Sequence, residues 1–583
     1  MLSLLQPLGL ILASWLGLFL LFCGLGRAVL GALQIGAASP RQWLDSFWLG
    51  WALVLFVLQL WHFAFPVNDL IMLLLATGAA LSLWRARFEL GELAARLRRD
   101  KAFLLLMGGS ALWFASRSIE MPAAFDTGYR DIQAVMWMDT YAIVPGLGNL
   151  FASLAYNHPS YLYNALLDFG AFSGRSVYIA NGLLLLAYLA QALAGGLQLW
   201  RNRGSNALRW SRVFALLTIP FIFQYTGGRG GITHFLTDTI VDLLGFLAII
   251  YWLDFLQGWQ PRANRDYLLL RLAVIVAVGS IVKQTYTIFG LAIALQTGLI
   301  WLRRGGLAAS SGQVARLLGG IILLAAAFLL PWLARGVLSS GYMAYPLSFG
   351  RIELDWTIPA EHIETRQRFL ATNTRQRGSD PEEVLGSWDW LAPWLSRLAD
   401  NFFHTALPAA ISTISLFLLA AGKVVNRSKS GSGLGLWALL PLLIMLVFWF
   451  FSFPNPKYAR WLFWAFAALC VLLALLEWRQ IPPQRRALGA VAVCAVCFAY
   501  TPFFVLRLGT FPLPAGPADG FYAREQPQIR RFETESGLIL NAPMYGGQCW
   551  SLPLPCTDTP NSKVYARAPG DLGAGFAYAT EDG

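Results

Sequence analysis

The sequence predicts an all-α polytopic membrane protein of about 12–14 transmembrane helices with a small β-rich C-terminal tail on the extracytoplasmic side. Three observations lead there. Of 583 residues, 57% are hydrophobic and 13% charged, about half the charged share of an ordinary soluble domain. The apolar residues fall in runs long enough to cross hydrocarbon. The basic residues behind the formal net charge of +12 cluster in short loops between those runs, as topology signals do. That distribution excludes nucleic acid as the partner and leaves the membrane lipids.

In chain order, about fourteen candidate spans lie near 8–26, 44–64, 68–84, 102–116, 177–199, 211–226, 236–257, 267–284, 286–302, 317–335, 402–421, 435–453, 458–477 and 487–506. Between the third and fourth stand Arg85, Arg87, Arg96, Arg98, Arg99 and Lys101, which makes that loop cytoplasmic. Alternation from there puts the basic loops near 201–209, 262–265, 303–316, 423–429 and 479–486 on the same side. The opposite side receives both termini and the long loops 117–176 and 336–401. No basic residue precedes the first apolar run, so a cleaved signal peptide is not expected. The organisation is therefore a membrane domain over 1–506 and a tail over 507–583.

The tail is rich in Pro and Gly, with short strand-like runs such as SGLILNAP and KVYARA. Cys549 and Cys556, in GGQCWSLPLPCT, read as a disulfide in an oxidising compartment. Cys23, Cys470, Cys494 and Cys497 lie inside apolar runs and read as packed thiols. No P-loop and no G-x-G-x-x-G occurs, so cytoplasmic nucleotide binding has no support.

Function is sought in the outer loops and in polar residues within the membrane. The loop 117–176 carries Asp126, Arg130, Asp131, Asp139, His158 and Asp168 among aromatics and amphipathic runs, and long loops of this kind tend to carry function. Its opening, FDTGYRD, places an acid beside a membrane helix. FDTGYRDIQAVMW followed by VPGLGNLFASLAYN resembles a family of bacterial multi-pass membrane proteins of the GT-C class of glycosyltransferases.

That resemblance implies a GT-C-like fold in the bacterial inner membrane. It implies a sugar taken from a polyprenyl-phosphate-linked donor and passed to a glycan, lipid or protein acceptor on the outer face, in cell-envelope polysaccharide or glycoconjugate synthesis. Asp126 occupies the position of the class's first-loop base, and inversion at the anomeric carbon is the class's stereochemistry. Read from the residues alone, Asp126 is equally a helix N-cap. Asp131 lies about 140° around an α-helix from Asp126, so the two share a site only if the DTG segment is not α-helical. Arg130 either pairs with Asp126 or binds a phosphate.

A leaving phosphate needs cations. The outer-face candidates are Arg229 in TGGRGGITHF, Lys283 in SIVKQTY, and Lys457 and Arg460 in PNPKYAR. Asp238 and Asp242 share one helix face, with His234 a turn earlier; they read as partners of Arg229 or Lys283, or, with His234, as ligands of a divalent metal. No other cofactor is called for. His158 binds substrate or caps the helix after it. The 336–401 loop, with its basic RQRFLATNTRQR and several tryptophans, keeps two further readings alive: an O-antigen polymerase or ligase, and a lipid-linked glycan transporter or flippase.

Overall fold

The computed structural model describes residues 2–33, 40–201, 208–227, 230–258, 262–304, 311–426, 434–478, 480–507, 521 and 525–579. The loop tips at 202–207, 305–310 and 427–433 and residue 479 therefore lie outside the described residues, as does Arg229.

The chain opens with α1 (Leu2–Ala32), α2 (Pro40–Trp61), α3 (Asp69–Arg85), α4 (Arg87–Arg99) and α5 (Lys101–Ser118). Polar caps set several boundaries. Asn68 accepts the Leu70 N–H at 3.2 Å to start α3, and Asp100 accepts that of Phe103 at 3.0 Å to start α5. α1 and α2 cross at glycines: a Cβ at Gly26 would lie 1.8 Å from the Ser46 carbonyl oxygen, and one at Gly50 1.8 Å from that of Phe22. Only small residues let two apolar helices approach this closely.

The first long loop follows, with short helices α6 (Ile132–Thr140), α7 (Leu147–Leu150) and α8 (Pro159–Leu166). The apolar bundle continues through α9 (Ala180–Arg201), α10 (Trp210–Leu217), α11 (Ile219–Gln224), α12 (Thr237–Gln257), α13 (Arg262–Val282), α14 (Tyr286–Arg303) and α15 (Ser311–Ser340). The second long loop folds into α16 (Ala360–Arg375), α17 (Pro381–Gly386) and α18 (Leu391–Asp400), and α19 (Leu407–Asn426), α20 (Leu440–Ser452), α21 (Pro456–Glu477) and α22 (Pro483–Arg507) complete the helices. α15 runs five residues past the expected start of that loop at 336.

Eight described helices are long and apolar enough to cross a membrane, or up to nine if the bent pair α3 and α4 is one span. The sequence expectation of 12–14 is higher for identifiable reasons. α3 and α4 meet at 79°. The expected span at 211–226 is divided at Thr218, ahead of Pro220, into α10 and α11. α13 contains Arg262, Arg265, Asp266 and Arg271, and the helical stretch Leu436–Ser452 falls short of full span length.

The core is aromatic where helices converge. Trp461 of α21 packs on Phe246 of α12 and Phe289 of α14, with ring centroids 6.3 and 5.0 Å apart. The tail carries two antiparallel two-stranded sheets, β1 (Ile529–Glu533) with β2 (Ile539–Pro543) and β3 (Val564–Ala566) with β4 (Phe576–Tyr578). Cys549 and Cys556 form the expected disulfide. β4 is seated on the first long loop, the Phe576 N–H donating to the Pro145 carbonyl at 3.0 Å.

Candidate functional site

The segment after α5 decides the geometry. Thr127–Asp131 forms a π-turn, closed by the Ile132 N–H on the Thr127 carbonyl. The i→i+5 bond widens the turn, so a residue comes back beneath the one five positions on. Asp126, Arg130 and Asp131 thereby share one side, as they would not in an α-helix. Arg130 Nε donates to Asp131 Oδ1 at 2.9 Å, and Arg130 Nη2 stands 3.8 Å from Asp126 Oδ2. Tyr161 of α8 donates its hydroxyl to Asp131 Oδ1 at 2.6 Å.

The two acids differ in surroundings. Asp131 is fully buried, its Oδ2 has no hydrogen-bond partner, and burial pushes its carboxyl up to about 6 against the pull of Arg130. The Asp126 side chain is 28% exposed, makes no helix-cap bond, and has Lys457 Nζ 3.5 Å from its Oδ2. The N-cap alternative for Asp126 is thus not the contact its carboxylate makes.

The tail holds this turn in place. The Trp550 N–H donates to the Gly128 carbonyl at 2.8 Å, Gln548 to that of Phe125 at 2.8 Å, and Gln133 Nε2 to the carbonyls of Trp550 and Leu552, each at 2.9 Å. A Cβ on Gly128 would come within 2.2 Å of the Trp550 indole. Gly128→Ala is therefore expected to unseat the disulfide loop at a cost of about 1–3 kcal/mol. Limited proteolysis of the tail reads the loss, and Trp550→Ala in the same chain should relieve it.

Beneath the turn lies a layer of paired charges. Asp238 and Asp242 stand one turn apart at the start of α12. Asp238 accepts from Lys283, just past α13, while Asp242 accepts from Arg460 Nε at 2.8 Å and from the Tyr225 hydroxyl. Lys283 and Lys457 flank the Tyr458 ring, 4.2 and 5.0 Å from its centroid. His234 turns away from the acids, its Nδ1 facing Asn181 Nδ2 at 3.0 Å and accepting from the Leu236 N–H at 3.1 Å. Among the described residues no three His, Cys, Asp or Glu side chains are grouped to hold a metal.

A family model described as "Domain of unknown function (DUF8201)" matches residues 9–464. The chain belongs to the DUF8201 family. No curated protein and no solved structure matches it. In this DUF8201 chain the matched region takes in Asp126, Arg130, Asp131, His158, Lys283, Lys457 and Arg460, while the disulfide-bearing tail lies beyond it.

His158 of the DUF8201 chain is aimed by its neighbours. Asn157 adopts a left-handed φ of 44°. It is fixed by its amide donating to the Trp332 carbonyl at 2.7 Å and by Arg335 Nε donating to its Oδ1 at 3.1 Å. His158 makes no side-chain cap on α8. Its Nδ1 lies 3.0 Å from the Val282 carbonyl, which can only accept, so Nδ1 carries the hydrogen and Nε2 is left as an acceptor. Burial, with Arg130 and Lys283 nearby, pushes the ring down to about 3. A lowered imidazole contributes stability that is present above its ordinary 6.5 and is lost as pH falls from there through about 3. His158→Gln should therefore shrink the drop in melting temperature between pH 7.5 and pH 5, measured by thermal melting in detergent.

Several residues of the DUF8201 site were not singled out from sequence. Arg366 of α16 reaches in from the second long loop, donating to the Tyr156 hydroxyl at 3.0 Å and to Ser153 Oγ at 3.1 Å. Tyr156 also lies under Arg130, 5.5 Å from its guanidinium, and packs edge-on against Tyr345. The signals present were the tyrosine-rich AYNHPSYLY and the basic stretch beginning at Arg366. Neither says which loop meets which.

Proposed function

We propose that this DUF8201 chain transfers a sugar from a polyprenyl-phosphate-linked donor to an acceptor on the extracytoplasmic face of the cell membrane. The observation that carries the reading is the convergence at Asp126: a partly exposed carboxylate free of capping duty, set between Arg130 and Lys457. Asp126 takes the acceptor's O–H proton as that oxygen bonds to the anomeric carbon. The anomeric C–O bond to the donor phosphate breaks, and its electron pair leaves with the phosphate.

The cations divide between two duties. Lys283 and Arg460 already have carboxylate partners and brace the floor. Arg366, whose hydrogen bonds are to neutral hydroxyls, and Lys457, held against Asp126 at 3.5 Å, serve the departing phosphate together with Arg130. His158 Nε2 accepts from a sugar hydroxyl.

One observation favours a second reading. Arg366 belongs to the long loop where a polymerase or ligase acting on lipid-linked glycans would keep its essential arginine. The test is the envelope glycan profile of a host lacking the chain, complemented at equal level by wild type, Asp126→Asn or Arg366→Gln. Loss of one sugar with Asp126→Asn, with lipid-linked donor accumulating, supports transfer with Asp126 as base. A full profile with Asp126→Asn alongside failure of Arg366→Gln moves the function to the polymerase or ligase.

A further inference from the structure

The far end of α12 carries a second polar centre. Asp254 lies about 24 Å along the helix from Asp238, at about 1.5 Å per residue. There Asp254, Gln257 and Gly258 border a cavity of about 230 Å³ together with Arg209, Ser211 and Arg212. Most of its polar groups are committed. Asp254 accepts from Ser211 Oγ at 2.5 Å and from Arg271 Nη2 at 3.3 Å, and Arg271 Nη1 continues to Asp45 at 2.6 Å. Gln257 accepts the Trp210 N–H at 2.8 Å and donates to the Leu208 carbonyl at 3.0 Å.

Arg209 and Arg212 are the exception. Among the described residues neither guanidinium has a carboxylate or hydrogen-bond partner, and the two repel each other. The flanking stretches 202–210 and 255–265 contain no acid. Asp45 and Asp254 are both engaged by Arg271, which leaves Arg209 and Arg212 without a carboxylate partner among the described residues. A smaller cavity of about 30 Å³ shares Ser211 and Arg212 and is walled mainly by Leu44, Ala194, Gly195, Ala215 and Ile250, with Gln191 and Gln198 at its edge. Arg212 therefore stands where a polar hollow meets a mainly apolar one, with Arg209 on the polar side.

We infer that this cavity binds the phosphodiester headgroup of an anionic membrane lipid, with Arg209 and Arg212 as its clamp. Two guanidiniums without a carboxylate partner suit an anion, guanidinium forks fit phosphate oxygens, and basic pockets between membrane helices take anionic headgroups. The apolar hollow favours a lipid over free phosphate. The site rests on placement of the bundle in a membrane and is independent of sugar transfer at the other end of α12.

The test is native mass spectrometry of the full chain in a neutral detergent with short-chain phosphatidylglycerol, phosphatidylcholine or inorganic phosphate added. Phosphatidylglycerol is expected to bind more tightly than phosphatidylcholine, with Arg209→Gln and Arg212→Gln each weakening it about fivefold and Arg209→Lys retaining most of it. Melting temperatures confirm folding, and the exposed Arg209 supplies a variant with no packing to lose. Equal affinity for the two lipids, or glutamine variants that bind like wild type, overturns the site. Displacement of phosphatidylglycerol by inorganic phosphate at equal concentration overturns the lipid assignment.

Discussion

Replacing Asp126 by Asn is expected to lower the proposed sugar transfer by about 10²–10⁴-fold, the range a positioned general base supplies, in a chain that remains folded. Asn keeps the side-chain shape, so the Gly128 and Trp550 contact is untouched. Arg130 keeps Asp131 at 2.9 Å, and Lys457 keeps its place against Tyr458. The loss should therefore fall on turnover, with donor affinity little changed. Single-turnover transfer of a labelled sugar in membrane vesicles separates the two. Wild-type turnover in Asp126→Asn would remove this carboxylate from the chemistry, and weakened donor binding at normal turnover would make it a binding residue.

The second large effect is expected one layer down. Asp242 is 2% exposed and Arg460 18%, so Asp242→Asn leaves a partly buried guanidinium without its charge partner, a loss approaching the ~3–5 kcal/mol of a fully buried pair. The Tyr225 hydroxyl loses its acceptor charge at the same time. Replacing both partners, Asp242→Leu with Arg460→Met, should cost less than Asp242→Asn alone, because no charge is left unpaired. Thermal melting of the three variants in detergent gives the cycle. If Asp242→Asn melts like wild type and only donor affinity changes, Arg460 is a phosphate ligand and not a brace.

Much of this was legible in the sequence. Long apolar runs mark α1, α2, α9, α12 and α21 because hydrocarbon length and composition fix them locally. The neutralisation of Asp238 by Lys283 was among the pairings the residues permitted, and the tail disulfide followed from its setting. What could not be read depends on tertiary contact. No local rule distinguishes the π-turn at Thr127–Asp131 from one more α-helical turn, yet it alone brings Asp126 and Asp131 to one side. The higher expected span number has the same origin, since apolar content does not report where a helix divides, as α10 and α11 do at Thr218. Arg366 was seen as a loop charge because its partners, Tyr156 and Ser153, lie some 210 residues upstream.

The clasp between the tail and the first long loop also orders events in time. Gln133 and Trp550 are separated by 417 positions. During synthesis the turn that carries Asp126 emerges long before the segment that covers it, and contacts of such sequence separation form late. A nascent or truncated chain thus presents an unfinished first loop. Completion of the site waits on synthesis of the whole polypeptide.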